Sequence, residues 1–344
     1  MKHYPYQRNT GCRLLLDQAW CGYHAVTLQN RWVRVTVLPE KGGDIVEWLH
    51  KPTDTDVLFL SPNGLRRPDH AEPSIGGPPG TFMDRYPGGW QEILPAAGPP
   101  SRFAGVDFGQ HGEVSVLPWR CVLVRDDPEE VAVRLAVQTI RTPLLLERTM
   151  RLRADDPTLV LEERLCNRSP LELPVMWGHH PAFGGGLLDE TCRIEISAGR
   201  VEVPRQRAFD SQRIEPGTVG AWPVVRGTDG AEVDLSQVPA REANTANFLY
   251  LTDLREGRYR LVSARRQLAV EIAWDLDVMP HVWMWQVAGG APGYPWYSQT
   301  YNLALEPFTS KVSNYQEAAD AGDLLVLGPR EERTFTLRAS ILPA

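Results

Sequence analysis

From Val131 onward the apolar residues of this 344-residue chain recur at every second position. Val131, Val133, Leu135 and Val137 fall on one side of an extended chain, and Ala132, Arg134, Ala136 and Gln138 fall on the other. The same period returns over 145–152, 159–165, 193–196, 268–272 and 334–341. Earlier, Val33, Val35 and Val37 share a face, and Lys41-Gly42-Gly43-Asp44 turns the chain so that 45–49 pairs back as a hairpin. A repeat of 3.6 is nearly missing, and 313–321 is the one segment that predicts a short helix. Alternation of this kind makes half-buried antiparallel strands. The fold class is therefore all-β, with two or more large antiparallel sheets packed face to face.

The length suffices for a large core, and no linker long enough to divide the chain interrupts it, so 1–344 reads as a single domain. Lys plus Arg number 36 against 43 Asp plus Glu, a net charge of −7. That balance offers no general attraction to nucleic acid or to an anionic membrane surface. The five cysteines, Cys12, Cys21, Cys121, Cys166 and Cys192, have no C-x-x-C spacing, and the first residues carry no apolar signal core. Reduced thiols in a cytoplasmic protein are expected. No apolar run reaches the roughly 20 residues that cross a bilayer. Eleven tryptophans leave two uses open, core packing and stacking on sugar faces.

Two strand ends carry ionisable groups. In Pro174-Val175-Met176-Trp177-Gly178-His179-His180-Pro181-Ala182-Phe183 an apolar strand runs into two histidines before a proline and three glycines. In Tyr301-Asn302-Leu303-Ala304-Leu305-Glu306-Pro307-Phe308 a carboxylate sits in an apolar strand, again before a proline. An imidazole and a carboxylate at two such ends are the parts of proton-transfer chemistry. Strand parity sends His179 and His180 to opposite faces, so only one of them enters a cleft. The same parity aligns His281, Trp283 and Trp285, a stripe that serves a core or a sugar platform. Between 61 and 80, five prolines and four glycines preclude regular structure, and a mobile loop at the rim of a cleft is expected. Gly88 and Gly89 let the backbone approach something closely just before Trp90 and Glu92. His111 lies between glycines in Gly109-Gln110-His111-Gly112.

Taken in order, Gly88-Gly89-Trp90-Gln91-Glu92 with Leu94-Pro95 and Gly98, then His111-Gly112, then Gly178-His179-His180-Pro181-Ala182-Phe183, then Leu303-Ala304-Leu305-Glu306-Pro307, resemble the aldose 1-epimerases, the galactose mutarotase-like family. The likeness runs from about residue 24 to the C-terminus. It implies a galactose mutarotase-like supersandwich with an open cleft for a small-molecule sugar and no cofactor. Carried over by residue, it implies Glu306 as general base, His180 as general acid about one sugar ring away, and His111 as a ring contact. Trp90 and Glu92 are further expected substrate contacts. The family's Asn-Arg-Ile motif is missing, which leaves Arg85 as the candidate sugar-binding arginine. The sugar's identity and charge, and the oligomeric state, stay open.

Anomer interconversion takes a proton from the C1 hydroxyl and gives one to the ring oxygen. Balanced in this way, it needs neither metal nor nucleotide, and no metal-spaced motif or phosphate loop occurs. Three other readings use the same residues: a carbohydrate-binding protein without turnover, a glycoside hydrolase or lyase pairing Glu306 with Glu92, and a metal-dependent cupin-like enzyme built on His111, His179, His180 and Glu306.

Overall fold

The computed structural model describes residues 10–67 and 82–344. Strands take 50% of the described residues and helices 4%. Two large sheets dominate the described residues, one of 12 strands and one of 8. Strands in both pair antiparallel. The expected all-β fold is the observed one.

The smaller sheet follows the alternation read from the sequence. In Leu144–Arg153 the side chains of Leu144, Leu146, Met150 and Leu152 are buried, and Leu145, Glu147, Thr149 and Arg151 are partly exposed. In Thr158–Asn167, Leu159, Leu161 and Leu165 do the same. These residues meet Val35, Trp48, Leu303 and Leu305 of the larger sheet in one apolar core, so the two sheets form a sandwich. Each of the two alternating columns has one charged member on the core side, Arg148 and Glu163, and the register sets them directly opposite one another.

The larger sheet runs at its centre through Asp44–His50, Trp90–Ile93, Gly178–Phe183, Tyr301–Phe308, His281–Ala288 and Thr245–Thr252. These strands are covered on both faces, by the smaller sheet on one and by loops carrying Phe82, Tyr86 and Trp296 on the other. Burial on both sides explains why they read as nearly continuous apolar runs and not as an alternation. The expected hairpin is present: Val33–Leu38 pairs with Asp44–His50, and Gly42 and Gly43 adopt φ of +67° and +63° in the turn. The expected short helix is Tyr315–Asp320, whose first turn is capped by the Asn314 side chain accepting from the Glu317 amide at 3.1 Å.

Of the loop expected at 61–80, residues 68–80 lie outside the described residues. On its near side Asn63 donates to the Pro295 carbonyl at 3.4 Å. Among the described residues no helix is long and apolar enough to cross a membrane.

Candidate active site

The strand Gly178–Phe183 lies between Trp90–Ile93 and Tyr301–Phe308. Its pairings Gly178↔Phe308 and Ala182↔Ala304 set His180 across from Glu306, and Trp283 pairs with Glu306 from the other side. One row of side chains therefore crosses three strands on the face turned away from the smaller sheet. His180 Nε2 is 3.5 Å from Glu306 Oε1. The two groups thus touch, where a gap of one sugar ring was expected.

The row forms the floor of a cleft of about 490 Å³. Its walls are largely aromatic, with Phe82, Tyr86, Phe248, Trp283, Trp285 and Trp296 among the lining residues. Met83 lines this cleft beside Phe82. His111 enters from its own loop with a φ of +59°, and its ring lies 5.4 Å from that of His180. Gly112 next to it, at φ +72°, runs so close to the Leu94 carbonyl that a Cβ would come within 2.4 Å. Tyr86 meets the His180 ring edge-on at 5.7 Å. Several buried polar atoms here have no partner: His180 Nδ1, Glu306 Oε2, His111 Nδ1 and the Tyr86 hydroxyl.

Burial governs the protonation of this group. It pushes the Glu306 carboxyl well above the usual carboxylate range and the His180 imidazole down to about 4. His111 is driven well below an ordinary histidine by burial and then by the neighbouring His180. Burial thus disfavours charge on both members of the pair, favouring a neutral imidazole beside a protonated carboxyl.

His179 faces the other way, as parity requires, into the space between the sheets. There its Nδ1 accepts from Trp90 Nε1 at 3.2 Å and its Nε2 lies 3.2 Å from Glu163 Oε2. Glu92 takes up the same space: its Oε1 accepts from Trp177 Nε1 at 2.5 Å and its Oε2 lies 3.5 Å from Arg148 Nη1. Trp90 and Glu92 are wholly buried and do not line the cleft, so their expected role as substrate contacts is corrected. The reason is again parity: across the pairings His179↔Glu92 and Pro181↔Trp90 they share the face of His179. Gly88 and Gly89 do allow a close approach, but to the Phe59 and Ile45 carbonyls, where a Cβ would come within 2.1 and 2.5 Å. Arg85 does not line the cleft either, whereas its neighbour Tyr86 does. The arginine at the cleft is Arg207, ion-paired with Glu215 at 3.1 Å.

These placements dispose of two competing site constellations. Glu306 and Glu92 lie on opposite faces of one sheet and cannot flank one glycosidic bond. The four residues of a cupin-like centre are likewise split between the faces. Among the described residues the one metal-like grouping is Glu92, Glu163 and His179, with ligand atoms within 4.8 Å of one another. Both nitrogens of His179 are engaged there and the Arg148 guanidinium is adjacent, so the donor set does not fit a cation.

Tyr86, Trp296 and Arg207 are cleft residues that motif reading passed over. Trp283 and Trp285 were visible as a stripe, and the pairing of Trp283 with Glu306 puts that stripe on the cleft face.

A family model described as a domain of unknown function (DUF4432) matches residues 21–341. No curated protein is significantly similar in sequence. Among solved structures, the Slr1438 protein from Synechocystis sp. PCC 6803 matches with a TM-score of 0.65 at 18% identity, over 96% of this chain and 100% of that one. A candidate aldose 1-epimerase from Klebsiella pneumoniae matches at 0.72 and 14% identity, over 96% and 83%. A galactose mutarotase-like protein from Clostridium acetobutylicum matches at 0.66 and 14%, over 97% and 99%. Likeness at these identities establishes the fold: a galactose mutarotase-like β-sandwich.

Proposed function

We propose that this chain, which belongs to the DUF4432 family, is an aldose 1-epimerase that interconverts the α and β anomers of a small sugar within one β-sandwich domain. The observation that carries the reading is the His180–Glu306 contact of 3.5 Å on the floor of an aromatic cleft. Both oxygens that exchange protons in mutarotation, the C1 hydroxyl and the ring oxygen, are bonded to the same carbon. An acid and a base standing side by side therefore suit the reaction as well as two groups on opposite sides of the ring.

The proton count agrees. Ring opening needs one proton acceptor and one proton donor, and a pair holding one proton supplies both. With Glu306 as base, the proton must lie on His180 when the sugar is bound. Sugar hydroxyls donating to Glu306 favour its carboxylate, and the proton then has only the 3.5 Å between Glu306 and His180 to cross. The base takes the C1 hydroxyl proton while the imidazolium protonates the ring oxygen, and the chain opens to the aldehyde. Rotation about the C1–C2 bond and reversal of both transfers closes the other anomer and returns the pair to its starting state. His111 and the Tyr86 hydroxyl are positioned to hold ring hydroxyls, and Trp285 and Trp296 to stack on the sugar's C–H face.

The test is a mutarotation screen over freshly dissolved pure anomers, followed by polarimetry or NMR. A rate above the buffer background that scales with protein concentration supports the reading. Saturable sugar binding with no rate increase on any bound sugar overturns it in favour of a carbohydrate-binding protein.

A further inference from the structure

The sealed cluster behind His180 has a proton inventory that its geometry constrains. Indole nitrogen donates and never accepts, so the Trp90 contact requires a lone pair on His179 Nδ1. The single ring proton of a neutral His179 must then be on Nε2, donated to Glu163 Oε2. An imidazolium would set N–H against N–H at Trp90. Burial acts in the same direction, holding His179 at about 4. With His179 neutral, the sealed charges are the Arg148 guanidinium and the two carboxyls of Glu92 and Glu163, which interact directly. Two carboxylates would leave a net negative charge between the sheets, and one shared proton removes it. Glu92 Oε2 lies 3.5 Å from the lone pair on His179 Nδ1, an approach that suits a protonated carboxyl better than a carboxylate, and polar atoms of Glu92, Glu163 and His179 all fall within 4.8 Å of one another.

We infer that Glu92 and Glu163 share a single proton and, through His179, form a brace between the two sheets that positions the strand carrying His180. The brace draws on four strands: Trp90 and Glu92 from one, His179 from the next, and Arg148 and Glu163 from the facing sheet. Phe335 closes the remaining side by stacking on His179 at 5.6 Å. Arg148 is fixed by the Gly43 carbonyl and lies over the Trp119 ring at 4.9 Å. Its charge also reaches Asp44 and Cys121. Burial first, and then its neighbour, raise Glu92 to about 8; burial raises Glu163 to about 7. The positioning role rests on His180 being catalytic, whereas the shared proton does not.

The experiment compares the whole protein with Glu92→Gln, Glu163→Gln and Glu163→Ala. A folded-state carboxyl raised to about 8 keeps a proton that the unfolded chain has already lost, so stability falls as pH rises toward 8. Between pH 6.5 and 8, where histidine titration is common to both proteins, the unfolding constant of the unmutated protein should rise relative to Glu92→Gln by up to about tenfold per pH unit, since the amide mimics the protonated acid. Parallel curves overturn the shared proton, as does one equivalent of a divalent metal in the purified protein. Positioning is read separately from the His180 ring signals in ¹⁵N NMR of the sugar-free protein. They should shift in Glu163→Ala and return in Glu163→Gln, whose amide oxygen still accepts from His179. If the sugar screen succeeds, kcat should follow that order at constant KM. Unmoved His180 signals in Glu163→Ala overturn positioning even where stability falls. A failed sugar screen leaves both of these measurements interpretable.

Discussion

Two consecutive histidines in one strand head two clusters of similar chemistry and opposite condition. Behind the sheet, His179 meets Glu163 and Glu92 with both ring nitrogens engaged, and Trp90, Trp177 and Arg148 supply donors. In front of it, His180 meets Glu306, and Nδ1 of one and Oε2 of the other have no partner. Both clusters are buried and both contain carboxyls raised by that burial. The difference lies in where the unpartnered atoms stand: Glu163 Oε1 and Arg148 Nε are sealed between the sheets, whereas those of His180 and Glu306 belong to residues that line the cleft. A buried polar group without a partner costs about 1–3 kcal/mol, a cost that persists where a ligand supplies the missing partner. The bonds behind the sheet hold the sandwich together, and on the proposed function the unpartnered groups beside the cleft are those a sugar would reach.

That contrast predicts two separable kinds of damage. The largest effect is expected behind the sheet. Glu92→Ala leaves the buried Trp177 Nε1 and Arg148 Nη1 without their acceptor, each costing about 1–3 kcal/mol in unfolding free energy. Chemical denaturation measures it, and a loss under 1 kcal/mol would show that Arg148 is served by other groups. His179→Asn belongs to the same class: parity keeps it out of the cleft, and its damage should appear in stability before it appears in turnover. In front of the sheet the signature reverses. Glu306→Gln and His180→Asn should each lower mutarotation by about 10²–10⁴-fold with the denaturation midpoint nearly unchanged. Full activity in Glu306→Gln, on a sugar that the unmutated protein epimerises, would end the proposed mechanism.

The front cluster was legible in sequence and the rear one was not, for physical reasons. His180, Glu306 and His111 stand in short motifs at strand ends, and strand parity separated His180 from His179. Parity carried further would have exposed the brace. Leu144, Leu146, Met150 and Leu152 form a core column with Arg148 at its centre, and Leu159, Leu161 and Leu165 form another around Glu163. A charge at a core position of an alternating strand announces a buried partner. Its identity depends on the register between strands far apart in sequence, here Arg148↔Glu163 and His179↔Glu92, which no local pattern contains. Trp90 and Glu92 were misplaced for the same reason. The glycines before them mark a close backbone approach but do not say on which face the following side chains fall.

The pH response separates the clusters more gently. In front, a falling pH puts a second proton on the pair once His180, held at about 4, takes one up, and no base remains. A rising pH removes the proton from Glu306, and no acid remains. Mutarotation should therefore follow a bell with its acid limb near pH 4 and its alkaline limb well above the ordinary carboxylate range. Rates from pH 3.5 to 9, corrected for buffer catalysis, would reveal it. An acid limb near 6.5 would mean that His180 is not desolvated in the working protein.

The smallest expected effect tests the contrast most directly, because it removes one atom. Tyr86 has a wholly buried phenol, raised well above its ordinary range by burial and then by the charges of Glu306 and Asp44, so it is a neutral donor at any working pH. Its hydroxyl has no partner, while its ring is held by His180 at 5.7 Å and Trp296 at 6.0 Å. Tyr86→Phe keeps those ring contacts. If unpartnered atoms mark the sugar's place, the free protein should lose no stability, since an unsatisfied group has been deleted. The sugar should then lose one hydrogen bond, about 0.5–1.5 kcal/mol or roughly a two- to tenfold rise in KM, with kcat changed less than about threefold. The opposite result, lower stability with KM unchanged, would mean that the Tyr86 hydroxyl serves the fold through a bridging water. The unpartnered atoms beside the cleft would then no longer mark a place for a ligand.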